Sequence, residues 1–389
     1  MHVLLVVTFA TSMTNSMAED LQIQRSVLAE GDDSWDWMQA RTAATPDGQT
    51  CITTLSRTAK AGSHGYHDVC LSVSRDRGVT WSTPEIIPSL RREKQSDGYE
   101  VVAGDLWPQW ISRSQTFLLT GKTFNFEDGT RENILREEVS YAVLDPVSLK
   151  CGPLRTVMMP ATDHDDREII APNAGCHQIV ERSDGQLLIP IRYQQSAKAR
   201  IYTSIVAHCA LDGSTLAYVE HGTQHSIPTG RGLYEPSVTE FRNRFYLTMR
   251  ADDGAYVAVS EDGLRFSKQI PWTFDDGQPL GSYNTQQHWA TISGKLYLIY
   301  TRRGADNDHI MRHRAPLFIA EVDPQTLQVI RSSEQILVPE DNATLGNSGV
   351  CHISDHETWI TVAEGNVSNG PRKGDHNKVF LVRVLGTKL

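Results

Sequence analysis

Six times along the chain an apolar strand runs into a tight polar turn, and a second strand leads out of it to a large polar residue. The turns fall at Asp47-Gly48, Arg113-Ser114, Asp184-Gly185, Arg242-Asn243, Ser293-Gly294 and Asp355-His356. The outgoing strands end at Arg57, Lys122, Arg192, Arg250, Arg302 and Glu364. Such turns between β-rich runs are hairpin signals. A second hairpin follows the first, as at Val69–Ser74, Tyr141–Pro146, Ile205–Ala210, Tyr256–Ser260 and Phe318–Asp323. Two hairpins make one four-stranded blade, and a recurrence of roughly 50 to 70 residues suits blades with loop insertions. The repeat predicts an all-β chain folded as a six-bladed β-propeller.

The sixth copy ends at Val379–Val384, with almost no chain left for an outer strand. The segment Leu21–Leu28 alternates apolar and polar residues ahead of the first blade, so it is expected to pair there and close the ring. Residues 19–389 are then one domain. Ahead of them, the apolar run Val3–Ala10 and the small-x-small sequence Ser16-Met17-Ala18 predict a signal peptide over 1–18 and a secreted or periplasmic protein.

The net charge of −10 argues against a nucleic-acid or anionic-membrane partner, because no basic background supplies an attractive surface. No later stretch approaches the ~20 apolar residues of a membrane span. Six cysteines are too few for a disulfide scaffold in so long a chain. Cys51 and Cys70 fall on one expected hairpin and form the single disulfide candidate. No CxxC or HExxH pattern is present, so neither metal nor cofactor is expected. The protein is expected to be a monomer.

Ser74-Arg75-Asp76-Arg77-Gly78-Val79-Thr80-Trp81 matches S-x-D-x-G-x-T-W, and Ser260-Glu261-Asp262-Gly263-Leu264-Arg265-Phe266 is a shortened copy. These resemble the Asp-box of the sialidase (neuraminidase) superfamily. Its role is structural: Asp accepts backbone N–H bonds, Gly permits positive φ, and Trp packs between blade layers. Glu235-Pro236-Ser237-Val238-Thr239-Glu240, followed by a turn and then Met249-Arg250, is similar to the sialidase blade that opens with a catalytic Glu and closes with an Arg of the carboxylate-binding triad. That likeness implies Glu235 and Arg250 in those roles, with Arg302 as a further triad candidate. The chain departs from the family in two places. Trp35–Gln39 stands where sialidases carry Arg-Ile-Pro, and Leu345–Gly349 stands where they carry a Tyr nucleophile. Tyr283 opens the preceding blade instead.

Hairpin topology locates the site independently. Residues just before first strands and just after second strands share one face of a propeller, and the hairpin turns lie on the other. The shared face is expected to collect Arg57, Lys122, Arg192, Arg250 and Arg302, with Trp107, His177, Tyr234, Glu235 and Tyr283. Arginines beside aromatic rings suit bidentate binding of a carboxylate or sulfate with rings against sugar faces. An acidic oligosaccharide or polysaccharide is the expected ligand. Asp68 and His64, in the loop after Arg57, are general-acid candidates.

Three readings follow. The first is an exo-acting, sialidase-like glycoside hydrolase on a sialic-acid or uronic-acid terminus, with Glu235, Tyr283, Asp68 and His177 as the catalytic candidates. The second is a β-eliminating polysaccharide lyase on uronate-containing glycans, using His177, Tyr234 or Tyr283, and Arg192. The third is a glycan-binding propeller without catalysis.

Overall fold

The computed structural model describes residues 21–59, 65–129, 131–365 and 376–387. The expected signal peptide and His64 lie outside those residues. Six antiparallel sheets follow one another around a ring. Their inner strands begin at Trp35, Glu100, Ile170, Tyr234, His288 and Gly349. Their second strands are Cys51–Ala59, Thr116–Glu127, Leu187–Gln194, Arg244–Arg250, Lys295–Tyr300 and Glu357–Ala363. Among the described residues the remaining regular structure is four short 3-10 turns, and no helix is long and apolar enough to cross a membrane. The six-bladed β-propeller expected from the repeat is the fold.

Among the described residues an apolar cluster fills each of the six joints between neighbouring blades, and a smaller seventh of Tyr66, Val102, Phe124 and Phe126 lies between blades one and two. Ile52 with Phe117 and Leu144 fills the joint of blades one and two, and Ile189 with Leu118 and Tyr141 the next. Leu247 with Leu188, Leu298 with Tyr246, and Ile360 with Ile299 continue the series. Cys51 and Leu55 packed with Trp359 and Leu381 complete it between blades six and one. Each sheet is therefore buried on both faces, which is why its second and third strands read as near-continuous apolar runs rather than alternating ones.

The last joint exists because strand Gln22–Glu30 forms the outer edge of blade six. It pairs antiparallel with Lys378–Leu385, from Gln22 against Leu385 to Glu30 against Lys378. The expected closing strand is thus in place. Arg25 adds hydrogen bonds to the carbonyls of Leu337 (2.5 Å) and Ile336 (2.7 Å) in blade five.

The two box-like turns carry the anticipated hydrogen bonds. Asp76 accepts from Thr80 N at 2.9 Å, and Ser74 Oγ accepts from Gly78 N at 2.9 Å. Gly78 has φ +76, and a Cβ there would lie 2.4 Å from the Trp359 ring, so glycine is required on both counts. Asp262 accepts from Leu264 N and Arg265 N in the shortened copy.

The Cys51–Cys70 disulfide is not formed, and both thiols are free and buried. The ladder pairs Cys51 with Ser74 and Cys70 with Leu55. Four residues of strand, about 13 Å, therefore separate the two positions, beyond the ~7 Å a bridge can span. The expected hairpin is present, with a register that sets the two cysteines apart.

Deleting residues 21–28 removes the buried Leu21 and Leu28 and exposes the edge of Lys378–Leu385. Two buried leucines alone are worth about 3–6 kcal/mol. Thermal melting of the truncated chain is expected to occur well below that of the full chain, and an unchanged melting temperature contradicts ring closure by this strand.

Candidate functional site

In blades one, two and four the inner ladder skips near its start, between Met38 and Arg41, Gly104 and Trp107, and Tyr234 and Ser237. A residue inside each gap takes a left-handed backbone: Gln39 (φ 56), Asp105 (φ 51) and Glu235 (φ 47). Such geometry costs a non-glycine residue about 1–3 kcal/mol. Its return is placement, because each bulge turns a polar side chain toward its neighbours around the axis. Gln39 Oε1 accepts from Ser56 Oγ at 2.8 Å and from Asp105 N at 2.9 Å, joining blades one and two.

Glu235 forms an ion pair with Arg250, whose residue pairs with Tyr234 across the hairpin. Arg250 also donates to Asn284 Oδ1, and its guanidinium lies over the Tyr234 ring, 4.7 Å from the centroid. Arg231 reaches the same Asn284 oxygen at 2.9 Å, the Tyr234 hydroxyl at 2.6 Å and Asp252 at 2.6 Å. Burial alone would raise the Glu235 pKa, but the Arg250 charge and hydrogen bond, helped by Arg314, hold it below its ordinary value. Glu235 is thus ionised, while burial keeps the Tyr234 phenol protonated.

Arg314 completes this group. Its Nη2 donates to the Asn284 carbonyl at 2.8 Å and its Nε to Thr285 Oγ1 at 3.1 Å. Among the described residues no carboxylate forms an ion pair with it. Burial, then repulsion from Arg250 and Arg312, lowers its pKa to about 9. Such a cation is stabilised by an anion that enters from solvent. Arg41 is similar: it is fully buried, it donates to Asn347 O (2.7 Å) and Gln286 Oε1 (3.3 Å), and it too lacks a carboxylate partner among the described residues. Both arginines rest on the same two segments, 284–286 and 346–349.

The expected arginine ring is largely neutralised by the protein itself. Arg192 pairs with buried Glu137, which Lys122 also contacts at 2.7 Å. Arg57 pairs with Asp68 at 2.9 Å and stacks on Trp35. Strand alternation explains its absence from the axis, because Ser56 faces Gln39 and Arg57 must face away. Arg302 is held by Glu334 at 2.5 Å. Of the expected substrate-binding arginines, only Arg250 joins the Glu235 cluster, together with Tyr234. Asp68 also accepts from Arg92 N, so its two oxygens are occupied.

Trp107 is only 3% exposed and lies beneath the site, against Arg41 and His288. His177 is buried, with Nδ1 2.6 Å from Pro190 O and Nε2 unpartnered, and burial lowers its pKa to about 4. Tyr283 is half-buried beside Asn284, between Arg303 (3.9 Å) and His313. Arg41, Arg314, Arg231, Asn284 and Asp105 were not singled out as site residues from the sequence. The available signal for the first was that Arg41 is the one basic residue of strand Trp35–Ala44. A cavity of about 600 Å³ opens at the turn end of the axis beside Gln109, Glu181 and Glu240, but no Arg or Lys lines it. An anionic ligand therefore fits the Glu235 end.

Solved sialidases share this six-bladed propeller fold. Trypanosoma rangeli sialidase superposes with a TM-score of 0.66 at 15% identity, covering 93% of this chain and 59% of that protein. The chain thus spans less than two thirds of that relative. A protein of unknown function from Dyadobacter fermentans gives a TM-score of 0.63 at 13% identity over 94% of this chain and 99% of its own. Phage phi92 endosialidase gives 0.60 at 11% identity over 95% and 70%. No protein-family model matches the chain, and no curated protein matches it in sequence.

Two stability measurements test this charge distribution. Arg250→Met leaves the Glu235 carboxylate, 22% exposed, without its cation and is expected to cost about 1–3 kcal/mol in urea unfolding, whereas Arg314→Met removes a cation without a carboxylate partner and is expected to cost little or to stabilise. Equal losses contradict the distinction. Burial raises Asp252, but hydrogen bonds from Arg231 and Tyr234 outweigh it and bring its pKa from 3.8 to about 2. A depressed folded pKa contributes stability above the unfolded value that is lost as pH falls through the folded one. Asp252→Asn should therefore flatten the loss of stability between about pH 4 and pH 2. An unchanged slope contradicts the pairing.

Proposed function

We propose that this protein is a sialidase-like glycoside hydrolase that removes an acidic sugar from the terminus of a glycan. The observation that carries the reading is the surplus positive charge at the Glu235 end of the axis. Arg250 is neutralised by Glu235, and Arg231 by Asp252, while half-buried Arg314 and fully buried Arg41 are left without carboxylates among the described residues. A sugar carboxylate supplies the missing charge and accepts from guanidinium groups in a plane. Glu235, ionised beside that carboxylate site, is placed to act as base or to stabilise the developing oxocarbenium charge. Tyr283, adjoining Asn284, is the nucleophile candidate for a double displacement. The resemblance in fold to sialidases supports the same chemistry class.

The lyase reading draws less support, because His177 is enclosed and Arg192 is already committed to Glu137. The binding-only reading draws support from one observation: the Tyr283 ring is already in contact with Arg303 over its face and with His313 edge-on.

Product analysis on sialosides, uronides and sulfated glycans separates the three. Release of a saturated acidic monosaccharide is the expected result. An ultraviolet-absorbing unsaturated product would replace this reading with elimination, and binding without product would replace it with recognition alone. Arg314→Met should raise KM for the acidic substrate by roughly 10- to 100-fold, the value of one or two charge-assisted hydrogen bonds. An unaltered KM would contradict its role.

A further inference from the structure

Asp105 and Glu235 occupy the same bulge position in blades two and four, yet their surroundings differ. Glu235 is ion-paired. Asp105 is 8% exposed, forms no ion pair among the described residues, and has its Oδ1 enclosed without a hydrogen-bond partner. A carboxylate oxygen deprived of both water and donors favours the neutral acid. The charged and titratable groups facing it are Lys122 on its own blade, Arg41 and Tyr66 from blade one, Cys176 from blade three and Glu235 from blade four. Burial raises its pKa, and the opposing pull of Lys122, Arg41 and the Cys176 thiol does not reverse this.

Two carboxyl groups pushed to opposite protonation states, one an acid and one an anion, are what glycoside cleavage needs. Resting on the hydrolase reading above, we infer that Asp105 is the general acid of this site. Its carboxyl proton passes to the glycosidic oxygen as the bond from that oxygen to the anomeric carbon breaks, and the bonding pair stays on the oxygen. Water then adds to the anomeric carbon, and the proton it sheds returns to the Asp105 carboxylate. The products are the free acidic sugar and the alcohol. Asp105 thus takes the role that Asp68 was expected to fill, since both oxygens of Asp68 are held by Arg57 and Arg92.

Asp105→Asn tests the assignment with two substrates of the same acidic sugar, a disaccharide and a 4-nitrophenyl glycoside. Asn adopts φ near +50° readily and is isosteric with the neutral acid, so the melting temperature should hold. Turnover of the disaccharide should fall by about 10²- to 10⁴-fold, and that of the aryl glycoside, whose leaving group needs little protonation, by far less. In the unaltered protein, kcat on the disaccharide should show an alkaline limb that is weaker on the aryl glycoside. This second measurement does not depend on the variant folding. Equal losses on both substrates, or identical pH limbs, would overturn the assignment while leaving the hydrolase reading standing. An unaltered protein that cleaves neither substrate, nor any other acidic glycoside, would instead overturn the hydrolase reading and the assignment with it.

Discussion

The antiparallel pairing of Gln22–Glu30 with Lys378–Leu385 is the contact on which the rest of the molecule depends. Six blades packed face to face bury their sheets only if the first meets the sixth, and that joint needs a complete sixth blade. Once it is closed, the inner strands sit at fixed angles and their starts converge. Asn377 secures the seam by bonding Trp37 on one side and Glu364 on the other. Along the axis, Arg41, Gln286, His288, Ser237 and Gln178 form a hydrogen-bonded chain through blades one, five, four and three. The closed ring therefore holds the strand-borne members of the site, Arg41, Asp105, Glu235 and Arg250, in register.

Within that frame, electrostatics divides the cationic residues into two kinds. Arg57, Lys122, Arg192 and Arg302 have carboxylate partners within the protein and serve the packing of blade ends. Fully buried Arg41 and half-buried Arg314 lie against carbonyl, amide and hydroxyl oxygens, which accept hydrogen bonds but do not cancel charge. Ordering an uncompensated guanidinium inside a protein is costly, and an acidic ligand offsets that cost on arrival. Glu235 stands at the boundary between the two kinds, neutralising Arg250 while remaining close enough to Arg314 to feel its charge.

The fold was legible because hairpin turns and apolar runs recur, and a repeat has few ways to bury itself. The closing strand was legible for the same reason, since the sixth copy lacked an outer strand. Register was not: the Cys51–Cys70 pairing failed by four residues because a long hairpin does not announce its turn residues. The site was half legible. Glu235, Arg250 and Tyr234 stand together as the hairpin logic required, but charge partners are set by tertiary contacts. Glu137 and Glu334 lie 55 and 32 residues from the arginines they neutralise, and nothing local marks them. Arg314 and Asn284 come from connecting segments, where periodicity carries no information. Asp105 is visible only through a bulge, which sequence pattern does not reveal.

The proposed function rests on guanidinium groups without carboxylate partners at the Glu235 end, Arg314 first among them, binding the carboxylate of an acidic sugar. Titration calorimetry with the free acidic sugar released from the best glycan, set against its methyl ester, tests this most directly. The account predicts measurable binding of the acid, weakened by added salt, and a loss of at least about tenfold in affinity for the ester. Equal affinity for acid and ester would contradict it.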